Sequence, residues 1–182
     1  MARSDRQQPE HRFTRQVPVG ETLPRLVCKE CGFIDYENPK VVVGSVACWE
    51  GRILLCRRSI NPRKGFWTLP AGYLEIGETP QEGALREANE EANASLDLET
   101  LLAVYSIPRI SQVQLIYRAR LLDPNVSAGE ETEELDLFKW QDIPWQEIAF
   151  PSVRWALQDH RAMLGAENFT PCGNPPGETG DY

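Results

Sequence analysis

The chain lacks what would carry it across a membrane or lace it with disulfides. It contains no run of eighteen apolar residues, and residues 1–25 are polar, without the hydrophobic stretch of a signal peptide. A spanning helix is excluded, and the cytoplasm is the expected compartment. Its five cysteines, Cys28, Cys31, Cys48, Cys56 and Cys172, are odd in number and scattered, which does not make a disulfide framework. Cys48 and Cys56 lie in apolar, strand-like runs and read as buried thiols. Basic charge is also short: 19 Lys and Arg face 27 Asp and Glu, for a net charge of -8. Such a surface repels backbone phosphates and anionic lipids, so neither nucleic acid nor a membrane is an expected partner. An anionic small molecule would need a metal ion and local Arg or Lys side chains. No internal repeat is present, and 182 residues with 41% apolar content suffice for one main domain with short extensions.

What the sequence does hold is an acidic stretch, Gly72–Ala94, GYLEIGETPQEGALREANEEANA. Thr79 and Glu82 form a capping box with Pro80 at the first helical position, so a helix is predicted from Pro80. At 3.6 residues per turn, Glu87, Glu90 and Glu91 share one narrow arc, while Leu85, Ala88 and Ala92 share the side expected to be buried. Three carboxylates so placed repel one another wherever water is partly excluded. A hard divalent cation relieves the repulsion, and all-oxygen ligation suits Mg²⁺ or Mn²⁺. An ordinary acidic run would instead be a solvated face.

Around this stretch the chain reads in order. Residues 1–16 are polar and expected to be flexible, and 17–38 carry a CxxC at Cys28 and Cys31 followed by Gly32, one knuckle of a zinc-ribbon pattern. After Pro39, KVVVGSVACWE and RILLCRR predict a hairpin turning at Glu50–Gly51. SLDLETLLAVYSI offers one or two strands, and VQLIYRARLL alternates like a half-exposed strand. A breaker-rich loop with Gly129 carries the acids Glu130, Glu131, Glu133 and Glu134 ahead of the strand LDLFKW. PSVRWALQDHRAML is an amphipathic helix, and 165–182, rich in Gly and Pro, are expected to be disordered.

Gly72, five residues, Glu78, seven residues, then Arg86-Glu87-Ala88-x-Glu90-Glu91 resembles the signature of the Nudix hydrolases, which split nucleoside diphosphates linked to another moiety. One departure is visible, Asn93 where the family has glycine; Asn tolerates the left-handed conformation a helix end requires. The resemblance implies an α/β fold, a Nudix α/β/α sandwich with a mixed β-sheet over 39–164, and a short N-terminal β-ribbon-like extension. It implies Mg²⁺ or Mn²⁺ held by Glu87, Glu90, Glu91 and the Gly72 carbonyl, with Arg86 orienting a carboxylate. The general base would be a glutamate of the stretch or a late-loop acid, Glu131 or Glu134, over which Gly129 would let the loop bend.

Arg57 and Arg58 are candidates for substrate phosphates, and Phe66 and Tyr105 for stacking on a flat ring. In relatives with a second CxxC those cysteines would fall near Arg6 and Pro9, and His11 is the nearby nitrogen, so zinc at Cys28 and Cys31 is not expected. AVYSIPRISQVQLIYRARLLD and NPKVVVG resemble the branch acting on FAD or ADP-ribose. The expected partner is a small nucleotide, with a homodimer left open. The competing reading is a catalytically silent Nudix nucleotide sensor that regulates a protein partner.

Overall fold

A computed structural model describes residues 12–166 and 169–181. The chain divides into two compact units, Met1–Asn38 and Pro39–Tyr182. In the first, β1 (Phe13–Gln16), β2 (Arg25–Cys28) and β3 (Ile34–Asp35) make a small antiparallel sheet in the order β1-β2-β3, with Phe13 opposite Cys28. Residues 13–16 are therefore not loose as expected from their polarity: their backbone pairs with β2, which a polar strand can do as readily as an apolar one. Arg6, Pro9 and His11 lie outside the described residues.

The second unit is a mixed sheet between two helices. Its strands are β4 (Lys40–Trp49), β5 (Arg52–Arg58), β6 (Trp67–Thr68), β7 (Ala71–Tyr73), β8 (Leu96–Ile107), β9 (Gln112–Leu121) and β10 (Thr132–Lys139), and its helices are α1 (Pro80–Ala92) and α2 (Pro151–Ala162). The main path runs β10-β5-β4-β9-β8, with β4 parallel to β9 and its other pairings antiparallel. Alternation along β4 and β5 sorts the core. Val46, Ile53 and Leu55 point to the layer containing Trp155 and Leu157 of α2, whereas Ala47, Leu54 and Cys56 point to the layer containing Ala88 and Ala92 of α1. The expected α/β/α sandwich is the observed fold.

Glu50 and Gly51 both take positive φ, 47° and 75°, which fits the tight turn to the twist of the two strands it joins. The strands then part. β4 and β5 pair only beside the turn, Cys48 opposite Ile53 and Trp49 opposite Arg52. Further on β4 pairs with β7 and β5 with β6, so Leu69–Pro70 enters the fork. The Pro70 carbonyl accepts from Ser45 N–H at 3.2 Å, and a Cβ on Gly44 would collide with Ala71 and Pro70. Glycine there allows the close approach that opens a cleft at the mouth of the fork.

Residues 169–181 are not the disordered tail their composition suggested. β8 is the edge strand, and Cys172 pairs with it: Cys172 N–H donates to Leu102 O and Val104 N–H to Cys172 O, both at 2.9 Å. The Asn174 side chain copies a backbone unit, accepting from Ser106 N–H and donating to Ser106 O, each at 2.8 Å. An open sheet edge offers unpaired N–H and C=O groups to any chain that can reach them, which explains why a Gly/Pro-rich segment is held. Among the described residues no helix is long and apolar enough to cross a membrane.

Candidate functional site

α1 begins where its sequence places it. Thr79 Oγ1 accepts from Glu82 N–H at 3.2 Å, Glu82 reaches back to Thr79 N–H at 2.7 Å, and Pro80 opens the first turn. It ends at Asn93, which adopts the left-handed conformation (φ 49°, ψ 33°) expected of the residue replacing glycine. Burial around the helix differs from expectation. Glu87 and Glu91 are 8% and 7% exposed and Leu85 is 38% exposed, so two acids and not the leucine turn inward. Small residues explain this: Gly83, Ala84, Ala88 and Ala92 let the helix lie close to the sheet and carry its acids into the fork.

A cleft of about 780 Å³ opens there, lined in part by Gly72, Arg86, Glu87, Glu90, Glu91, Arg58 and Glu131. A Cβ on Gly72 would strike the Glu87 carboxylate, so glycine makes room for that group. Arg86 is the hub. Its guanidinium grips Glu78 at 3.1 and 2.7 Å, donates through Nη1 to Glu87 at 2.7 Å and Glu90 at 2.9 Å, and through Nη2 to Tyr73 O at 2.9 Å. Its helical neighbour Glu82 is taken by the cap, and the fork-shaped grip falls instead on Glu78. The Glu78 bond lowers that carboxyl's pKa, and the Arg86 pKa is raised in turn.

Glu87 and Glu91 are shifted the other way. Burial raises Glu87, against the Arg86 hydrogen bond, while burial and then the Glu87 charge push Glu91 up to about 8. Glu91 accepts from Ala71 N–H at 3.3 Å, and no ion pair among the described residues reaches it. A desolvated carboxylate beside a second one is costly to charge, and a divalent cation would offset that cost. As the side chains stand, no group of three His, Cys, Asp or Glu residues among those described forms a ready ligand shell, and Arg86 Nη1 bridges Glu87 and Glu90. The donor chemistry, all oxygen in a recess kept open by glycine, fits Mg²⁺ or Mn²⁺.

The late acids separate. Ser127 N–H and Gly129 N–H donate to Ala92 O and Glu91 O, both at 3.0 Å, and Asn93 Nδ2 donates to Ser127 O at 3.0 Å. The loop thus caps the end of α1, and a Cβ on Gly129 would run into the Glu90 carbonyl. Gly129 is needed for contact and not for bending. This anchoring brings Glu131 to the cleft, where its charge adds to the upward push on Glu87 and Glu91. Glu134 belongs to β10, where it lies opposite Arg57 and is bonded to it at 3.1 Å; it does not line the cleft.

Of the proposed substrate contacts, Arg58 alone lines the cleft, bonded to Pro62 O at 2.8 Å and stacked over Phe150 at 5.3 Å. Arg57 is turned to Gly65 O and to Glu133 and Glu134. Phe66 lies under Arg63 at 5.0 Å, away from the cleft lining. Tyr105 is fully buried, edge-on to Trp155 and donating to Asp159, so it cannot stack on a ligand; strand alternation gave an aromatic but not the helix above it. Sequence reasoning missed Tyr73, Gln112, Gln114, Ile107 and Gly180 in the lining. The alternation of VQLIYRARLL, carried back one residue to Gln112, was the available signal, since it sets Gln112 and Gln114 on one face.

The pattern described as the NUDIX domain matches residues 38–156, and that described as Nudix N-terminal, a zinc-ribbon pattern, matches 10–37. The crystal structure of a NUDIX hydrolase from Nitrosomonas europaea superposes with a TM-score of 0.84 at 44% identity, covering 89% of this chain and 93% of that one. An ADP-ribose pyrophosphatase of Methanocaldococcus jannaschii is 32% identical over 113 residues, 60% of this chain and 67% of that protein. A MutT-like protein of Streptomyces ambofaciens is 38% identical over 99 residues, and the chain spans only 60% of its length.

Proposed function

Because this chain belongs to the Nudix family of pyrophosphatases, we propose that it hydrolyses a nucleoside diphosphate linked to a second moiety, with ADP-ribose, cleaved to AMP and ribose 5-phosphate, as the first choice. The carrying observation is the pair of buried, mutually repelling carboxylates, Glu87 and Glu91, at the base of a cleft that also holds Arg58 and Glu131. The archaeal relative's name supports ADP-ribose. FAD, cleaved to FMN and AMP, is the other substrate the sequence resemblance favours.

Glu87, Glu90, Glu91 and the Gly72 carbonyl would hold Mg²⁺ or Mn²⁺. Such an ion neutralises phosphate charge and makes bound water more acidic. Arg86 keeps the Glu87 and Glu90 carboxylates aimed, acting by position and not by contact with substrate. Arg58 offers its remaining N–H groups to a phosphate oxygen. Glu131 takes the proton as water oxygen attacks phosphorus; the bridging P–O bond breaks and AMP departs with the phosphate it keeps. Retention of the full acid set and Arg86 weighs against a silent sensor.

The test is a screen of ADP-ribose, FAD, NADH, dinucleoside polyphosphates and nucleoside triphosphates with Mg²⁺ or Mn²⁺, run beside Glu87→Gln. AMP release from ADP-ribose that Glu87→Gln abolishes is expected. No turnover of any of these with either metal overturns the proposal.

A further inference from the structure

Across three strands of the sheet, Tyr73, Val42 and Gln114 stand in one row, with Lys40 and Gln112 in the row beside it. Tyr73, Gln112 and Gln114 all line the cleft. They are wired in one direction: Gln114 Nε2 donates to Gln112 Oε1 at 3.3 Å, and Gln112 Nε2 donates to the Tyr73 hydroxyl at 3.2 Å. Lys40 Nζ sits 5.2 Å from the Tyr73 ring centre and steadies it. An amide carries two N–H donors and one carbonyl acceptor. Among the described residues nothing else bonds the Gln114 amide, which leaves its Oε1 and one N–H open side by side, with the Tyr73 hydroxyl further along the ladder.

The walls are apolar. Ile107, Ile110 and Ile116 line the cleft, and Gly180, from the segment laid on β8, fits against Ile107 so closely that a Cβ would collide with it. A slot with aliphatic walls and an acceptor beside a donor suits a flat base bearing an amino group next to a ring nitrogen, the edge that glutamine reads on adenine. The polar row is also placed for it. The next row on the same face, Ala71, Gly44 and Ile116, includes the Ala71 N–H that bonds Glu91. Two residues along a strand span about 7 Å, which separates the base slot from the acids by a nucleoside-sized step.

We infer that Gln114, set by Gln112 and Tyr73, is the specificity-determining residue of an adenine subsite, with its Oε1 accepting from the exocyclic amino group. This rests on the nucleotide-hydrolase reading and deepens it, and it is tested without hydrolysis. AMP and purine riboside 5′-monophosphate, which lacks only the amino group, are titrated calorimetrically into the full chain with Mg²⁺. AMP should bind about tenfold tighter, as expected when the bound ligand covers an acceptor and leaves it unpaired. Gln114→Leu should erase that difference, and Tyr73→Phe should weaken AMP binding by about threefold through the loosened ladder.

Equal binding of the two ligands by the wild-type chain, no AMP binding at all, or full discrimination in a folded Gln114→Leu protein overturns the inference. Should Gln114→Leu fail to fold, the wild-type comparison and Tyr73→Phe still decide it. Discrimination between the two monophosphates in a chain that hydrolyses nothing would sink the proposed activity and leave the subsite standing.

Discussion

Two short motifs in this chain have the spacing of metal sites, and among the described residues only one is completed by its surroundings. Around α1 the acids are met by a capped helix, a glycine that clears space for Glu87, a two-point Arg86–Glu78 grip and a late loop tied to Glu91 and Ala92. Around Cys28 and Cys31 the local turn is equally well formed. Gly32 N–H donates to Cys28 O at 3.0 Å, Cys28 N–H to Phe33 O at 2.8 Å, and backbone N–H groups of Cys31 and Glu30 lower the Cys28 thiol pKa. Yet the described residues supply two thiols where a tetrahedral zinc needs four ligands. A motif fixes local geometry; the elements packed against it decide whether charge is stored there.

The largest effect should come from the stored charge itself. Glu91→Gln should lower kcat about 1000-fold on ADP-ribose, measured as AMP release. In chelator-treated protein the same change should stabilise. The folded-state pKa of Glu91, about 8, lies above its ordinary value of 4.5, so the native state binds the extra proton between these pH values. Metal-free wild-type protein should therefore lose stability as pH rises from about 4.5 to about 8, by at most roughly 1.4 kcal/mol per pH unit from this group. Thermal melts with and without chelator check this; a Glu91→Gln protein with the wild-type slope would mean that no charge is stored at the acid helix.

Glu131 and Glu134 sharpen the comparison inside the acidic site. Glu131→Gln should cost about 100-fold in kcat, the scale of general-base loss, while Glu134→Gln, which removes only an exposed partner of Arg57, should stay within about twofold. Gly72→Ala comes next, at about tenfold, because a methyl group must displace the Glu87 carboxylate. Activity assays at saturating Mg²⁺ rank all three. An inverted order for the two glutamates would place the proton acceptor on β10.

The sequence was readable where local rules act alone. Thr79, Pro80, Glu82 and Asn93 mark both ends of α1, and Glu50–Gly51 marks the hairpin, because caps and tight turns need only neighbours in the chain. It was misleading where distant partners decide. Leu85 looked more apt to be buried than Glu91, but the sheet lies under the acid. Glu134 looked like a loop residue until β10 began at Thr132 opposite Arg58. Tyr105 looked like a stacking ring until Asp159 and Trp155 of α2 covered it. Residues 169–181 have a disordered composition, and only the unpaired edge of β8 explains their order.

The smallest effect on catalysis is expected at the other motif. Replacing Cys28 and Cys31 together with serine should leave kcat/KM within about twofold, because both belong to the first compact unit, whereas the acids and Arg86 belong to the second. Their chemistry should still differ from that of the other cysteines. Burial pushes Cys48 and Cys56 up to about 12, whereas Cys28, in a turn that directs N–H groups at its sulfur, is lowered. The thiolate is the reactive form, so iodoacetamide at neutral pH should modify Cys28 ahead of Cys48 and Cys56, as read by mass spectrometry of the peptides. Stoichiometric zinc with Cys28 protected from alkylation would mean that residues preceding β1 complete the ligand set. The contrast between a finished and an unfinished site would then give way to one between two metals with different work.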